Sequence, residues 1–178
     1  MELESQIQLL ETAGISLRDG VATEDLLEFW DREQFERQGM DLLITTMGFE
    51  LDREPWQTLS AEVLVVDCEC VSGVSSYKDV LNDICELAGL ELQNFNGEIE
   101  ITEAAGWLEY ELNGQRQKSD VQISRDWLDT HFLGKFASSV ETAEKHFYFR
   151  SDGQCITLLW VSPNQISAIN ETLTSTFT

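Results

Sequence analysis

Apolar residues recur at helical spacing through the first third of the chain. Leu3, Ile7 and Leu10 form one stripe, and Gly14 behind it supplies a stop. Thr23 is placed to cap a second helix that carries Leu26, Leu27 and Trp30. Polar residues 31–38 lead into Met40–Met47, which reads as helix up to Gly48. Pro55 marks a connection, with the loop-like Asp52-Arg53-Glu54 before it.

The period changes after Glu62. Val63-Leu64-Val65-Val66 is a β-branched, nearly continuous apolar run, the pattern of a strand covered on both faces. A helix is predicted from Ser76 to Ala88, with Tyr77, Val80, Leu81, Ile84 and Cys85 on one side; Ser76 and Asp79 form a variant capping box and Gly89 the stop. Residues 97–123 alternate as a three-stranded antiparallel meander. Ile99 and Ile101 alternate with Glu98 and Glu100, and Leu108, Tyr110 and Leu112 with Glu109 and Glu111. Asn113-Gly114 is a two-residue hairpin signal, and the polar strand after it reads as an edge. Ser124 is placed to cap a long helix carrying Trp127, Leu128, His131, Phe132, Phe136 and Val140. His146–Arg150 and Cys155–Val161 form a hairpin around Asp152-Gly153, and Ser162-Pro163 opens a short last helix.

These elements predict an α+β fold: N-terminal helices, then β-α-β-β-β-α-β-β-α around a mostly antiparallel sheet. The helical part is expected over 1–55 and the α+β domain over 56–178, as one compact protein. Neither a signal peptide nor a membrane-length apolar run is visible, and the four cysteines match no secreted framework. A reducing cytoplasm is the expectation.

Charge adds the most. The chain has 33 acidic and 11 basic residues, a net of −22 at neutral pH. Residues 1–114 hold 26 acidic against 5 basic residues, and residues 115–178 hold 7 against 6. Between Asp79 and Gly114 there are nine carboxylates and no Lys or Arg. Such a field repels nucleic acid and anionic membranes and attracts basic proteins.

Pleating turns composition into geometry. If 97–103 pairs with 107–113, then Ile99, Ile101, Leu108, Tyr110 and Leu112 are buried, and Glu98, Glu100, Glu109 and Glu111 share the other face. Like charges on neighbouring strands repel, and a cationic partner relieves that repulsion. Asp79 and Asp83 on the preceding helix extend the acidic surface, and Glu86 follows them. In Asp67-Cys68-Glu69-Cys70, alternation sends both cysteines inward and places Asp67 and Glu69 together. That carboxylate pair can receive Lys or Arg, bind a divalent cation or act as acid and base.

Other chemistry is sparse. The Cys-x-Cys lacks a second ligand pair for zinc. His131 falls near an apolar stripe, as a satisfied, semi-buried histidine does. Asp126 and Asp129 suit a helix N-terminus. No phosphate-binding loop, nucleophile elbow or H-E-x-x-H is present, so neither catalytic residues, cofactor nor metal is assigned.

Three stretches carry a resemblance: Val65-Val66-Asp67-Cys68-Glu69-Cys70-Val71 with Tyr77-Lys78-Asp79-Val80-Leu81; Trp107-Leu108-Glu109-Tyr110-Glu111-Leu112-Asn113-Gly114; and Asp126-Trp127-Leu128-Asp129. Their order over residues 62–161 resembles immunity proteins of bacterial polymorphic toxin systems (Rhs, contact-dependent and type VI secretion). The resemblance implies a cytoplasmic, non-enzymatic inhibitor that binds one cognate toxin. Asp67, Glu69, Asp79, Asp83, Glu98, Glu100, Glu109 and Glu111 are the candidate partners for the toxin's Lys and Arg. Two other readings stay open: a nucleic-acid mimic, and a small metal-dependent hydrolase centred on Asp67 and Glu69.

Overall fold

The computed structural model describes residues 1–54 and 56–178; the connection expected at Pro55 lies outside the described residues. The N-terminal helices are α1 (Leu3–Thr12), α2 (Thr23–Leu26), α3 (Arg32–Gln38) and α4 (Met40–Met47). Then come β1 (Val63–Asp67), α5 (Val74–Leu87), β2 (Gln93–Glu100), β3 (Ala105–Leu112) and β4 (Gln115–Gln122). The chain finishes with α6 (Thr130–Val140), β5 (His146–Ser151), β6 (Cys155–Val161) and α7 (Pro163–Asn170). The fold is α+β, with two three-stranded sheets ordered β1-β6-β5 and β2-β3-β4.

Two compact units divide the chain, and they differ from a cut at residue 55. The first comprises residues 1–65, 143–151 and 157–178, the second residues 66–142 and 152–156. The physical reason is closure of the helical core by distant segments. Leu3, Leu10, Leu26, Phe35, Leu43 and Ile44 pack in one cluster with Leu159 and Val161 of β6, Ile166 and Ile169 of α7, and Phe177. Burial of each such side chain is worth about 1.5–3 kcal/mol.

Within the first unit, residues 31–38 are themselves largely helical. Asp31 caps α3 by accepting the Gln34 N–H at 2.8 Å, while the Gln34 side chain accepts the Asp31 N–H. The helix expected from Thr23 is a single turn. Its cap position is Ala22, whose N–H donates to Asp25 at 2.7 Å, and Trp30 lies beyond its end. Asp41 gathers the C-terminal segment, accepting from Arg150 Nη1 at 2.6 Å, from the Thr174 N–H at 3.1 Å and from the Thr174 hydroxyl. β1 lies at the edge of its sheet, and its Val63, Leu64 and Val66 are buried.

The second unit carries the features of functional interest. Asn113 (φ 52°) and Gly114 (φ 72°) adopt the left-handed pair that a two-residue hairpin requires, so Leu112 pairs with Gln115 and Glu111 with Arg116. Gly97 and Gly106 let β2 approach β3. A Cβ at Gly106 would sit 2.6 Å from the Glu98 carbonyl oxygen, and one at Gly97 equally close to that of Trp107. Leu108, Tyr110, Leu112 and Val121 are buried on the inner face. α5 and α6 supply the matching surface with Tyr77, Val80, Leu81 and Ile84, and with Phe132, Leu133 and Phe136. The rings of Tyr110 and Phe136 meet edge-on at 5.4 Å.

Two expected boundaries move. α5 starts at Val74 without a side-chain cap, and Ser76 instead donates to the Cys70 carbonyl oxygen at 3.0 Å. α6 starts six residues after Ser124, because Arg125 turns with φ 62° and the Ser124–Trp127 bridge closes a tight loop. Asp129 is the true cap, accepting the Phe132 N–H at 3.0 Å and the Gln122 N–H at 2.9 Å.

Candidate functional site

The outer face of the β2-β3-β4 sheet is built from rungs that the register fixes. Glu98, Trp107 and Asp120 form one rung; Asn96, Glu109 and Lys118 the next; Glu100, Ala105 and Gln122 a third. The predicted outward set of Glu98, Glu100, Glu109 and Glu111 therefore does share one face, but their environments differ.

At one end the acid is neutralised. The Arg116 guanidinium pairs with Glu109 and holds its carboxyl below the usual range. Glu111 accepts from the Asn94 amide at 2.8 Å. Both basic residues of β4 stand on this face, so it is not the uniformly acidic surface expected from β2 and β3 alone.

At the other end, among the described residues, no carboxylate is ion-paired. Glu98, Glu100 and Glu103 line a shallow depression of about 290 Å³ with Ala105, Gly106 and Trp107. The Trp107 indole N–H donates to Glu98 at 3.3 Å. Among the described residues, Glu100 and Glu103 make no hydrogen bond or ion pair through their side chains. Lys118 reaches the Trp107 ring from β4, its ammonium 4.2 Å from the centroid. An indole beside three carboxylates matches an arginine or lysine side chain, since the carboxylates accept its N–H groups and the ring packs its stem.

Ile101 is not the buried strand residue expected. β2 ends at Glu100, and Ile101–Glu103 form a 3-10 turn in which Ile101 is 41% exposed. That turn aligns Glu103 with Glu98 and Glu100, a residue the alternation did not mark. Its signal was the chain's need to reverse within four residues before Ala105.

The other candidates are not brought to this patch. α5 lays its apolar side against the opposite face of the sheet, so Asp79 is exposed on the side that points away from Glu98 and Glu100, with Asp83 and Glu86 on following turns. Asp67 and Glu69 sit at the end of β1. The Glu69 N–H donates to Asp67 Oδ1 at 2.8 Å, a tight turn that breaks the strand alternation. Cys70 is consequently exposed, contrary to its expected inward direction, while Cys68 is buried. All four cysteines are free thiols. Burial pushes the thiols of Cys68 and Cys85 up to about 11.

His131 is exposed rather than satisfied in the core, because α6 begins later than Ser124 and its buried side is Phe132, Leu133, Phe136 and Val140. It faces a cleft with Asp120 and Asp129, not with Asp67, Glu69 or Cys85. Among the described residues no group of three or more His, Cys, Asp or Glu side chains is placed to hold a metal ion. No helix of the described residues is long and apolar enough to cross a membrane.

Of the tryptophans, Trp160 is core and Trp56 is 59% exposed. Trp56 stands on a loop that the Glu50–Thr58 bridge closes and that Arg53 ties to Asp25 at 2.8 and 3.0 Å. Comparison of the chain with protein-family models, with curated proteins and with solved structures gives no match.

Proposed function

We propose that this chain is an acidic binding protein that neutralises a basic protein partner, acting as an immunity protein does on its cognate toxin. The observation that carries this reading is the depression in which Glu98, Glu100 and Glu103 surround Trp107 on an open sheet face. Like charges gathered there repel one another in the unbound protein, and a partner's Lys or Arg removes that cost. The net charge of −22 adds long-range attraction for the same class of partner. Close interfacial charge pairs couple by about 1.5–7 kcal/mol where both groups are desolvated.

The hydrolase reading loses support from the arrangement at Asp67. Its carboxylate is engaged by the Glu69 N–H, and the Gln154 amide lies 3.4 Å away. Cys85 is buried in the core and His131 lines another cleft.

Co-expression tests the inhibitor role. The captured partner, expressed alone, is expected to arrest growth, and the native chain to restore it. A Glu98→Lys, Glu100→Lys, Glu103→Lys variant is expected to restore it poorly. A partner that causes no arrest would leave a binding protein and remove the toxin-inhibitor role.

A further inference from the structure

A strand at the edge of a sheet presents alternate backbone N–H and C=O groups to any extended chain that comes beside it. In the sheet β1-β6-β5 the chain's own end closes such an edge at Phe149. The Phe149 N–H donates to the Thr178 carbonyl at 2.9 Å, and the Thr178 N–H donates back at 3.1 Å. β2 has no such cover. It pairs with β3 on one side, and among the described residues no backbone group bonds its other side. No residue of β2 is buried, whereas β3, between two neighbours, buries Leu108, Tyr110 and Leu112.

This open edge is regular where it matters. The register shift is confined to Gln93–Asn96, so Asn96–Glu100 pair one for one with β3 and present an unbroken template. β2 contains neither Lys nor Pro, two residues that commonly guard an edge. Charge decides the occupant. Asn96, Glu98 and Glu100 point outward with Glu109 and Trp107, while Ile99 turns inward towards Gly106 and Val121. A strand laid beside β2 sets its side chains about 4.5–5.5 Å from these. Lys or Arg at every second position then meets Glu98 and Glu100, and the apolar residues between them cover the half-buried Ile99. The same carboxylates repel the β2 of a second copy. The opposite edge, β4, has the wrong charge for a basic strand, with Arg116 and Lys118, and its Gln122 N–H is held by Asp129 at 2.9 Å.

We infer that β2 holds its partner by strand addition, pairing residues 96–100 with an extended segment in which Lys or Arg alternates with apolar residues. The inference rests on the reading of a basic protein partner and adds the backbone geometry of its recognition.

The test uses the native full chain and a capped heptapeptide that alternates Lys with Val. A control peptide has the same composition with its lysines and valines in two blocks. Amide hydrogen exchange followed by NMR reads the edge directly. The alternating peptide is expected to slow exchange of those β2 amides that do not bond β3, and to bind at least about ten-fold more tightly than the block peptide. Combined Glu98→Gln and Glu100→Gln should weaken it about ten-fold at low salt. Both positions are exposed, so unchanged thermal unfolding separates lost binding from lost folding. Equal binding of the two peptides, or binding without protection of β2, would leave charge attraction alone and overturn strand addition. No binding at millimolar peptide would overturn the site. Self-association in sedimentation that the double variant abolishes would place a second copy on the edge and overturn the partner. No toxin enters these measurements, so a failed strand addition is told apart from a failed growth rescue.

Discussion

The Lys118 ammonium lies 4.2 Å from the centroid of the Trp107 ring, on the sheet face that also carries Glu98 and Glu100. This lysine holds the position that a partner's cation would take on the same indole. It also offsets part of the acidic field around the depression.

Removing that internal competitor should help the partner. Lys118→Met is expected to raise the association rate with a basic partner by about two- to ten-fold at low salt, with a steeper salt dependence. Stopped-flow measurement of tryptophan fluorescence reads it directly. A slower association would mean that Lys118 itself contacts the partner.

Exposure separates the aromatic residues by role. Trp56→Ala should change unfolding free energy by no more than about 0.5 kcal/mol, because the side chain is already 59% exposed. Phe136→Ala, at a buried position whose ring meets Tyr110 edge-on, should cost about 3–5 kcal/mol. Urea denaturation of the two variants checks both. A large loss for Trp56→Ala would show that its loop supports the core.

The thiols should react in order of exposure. In native protein at neutral pH, Cys70 is expected to be modified first by a disulfide reagent. Cys68 and Cys85 should react only on unfolding, since burial raises both thiols and shields them. Mass mapping of the labelled cysteines gives the order. Simultaneous labelling of all four in native protein contradicts it.

Acid should act on the Asp25 tether. The Ala22 N–H, and after it Arg53, hold this carboxyl below its ordinary value. The unfolded chain therefore takes up the proton first as pH falls. The contribution is complete above about pH 4 and is lost as pH drops through the lower folded value. Asp25→Asn should cost about 1–3 kcal/mol at neutral pH and lose less on acidification. Thermal unfolding at pH 7 and pH 3 distinguishes this from a tether that contributes nothing.

Much of the second unit was legible in the alternation. The outward Glu98, Glu100, Glu109 and Glu111, the inward Leu108, Tyr110 and Leu112, and the Asn113-Gly114 turn all follow from period two and turn chemistry. The neutralising partners were available by the same logic, since a two-residue turn places Arg116 opposite Glu111 and Lys118 opposite Glu109. The end of β2 was not. Only the 3-10 turn expels Ile101 and brings Glu103 to the depression, and the local apolar pattern favoured a longer strand. The cap of α6 was hidden because Asp129 also serves the Gln122 N–H, a contact set by packing rather than by spacing. Likewise, closure of the helical core by Leu159, Val161 and Ile166 joins residues far apart in sequence.

The most direct test of the central claim is affinity capture from the native host, run side by side with native bait and with the Glu98→Lys, Glu100→Lys, Glu103→Lys variant. Mass spectrometry identifies what is retained, and calorimetry with the purified partner gives its stoichiometry and salt dependence. The account predicts one basic protein held by the native chain at near-equal stoichiometry, and bound at least about ten-fold more weakly by the folded variant. A partner bound equally well by both, or none recovered by folded native bait, would contradict it.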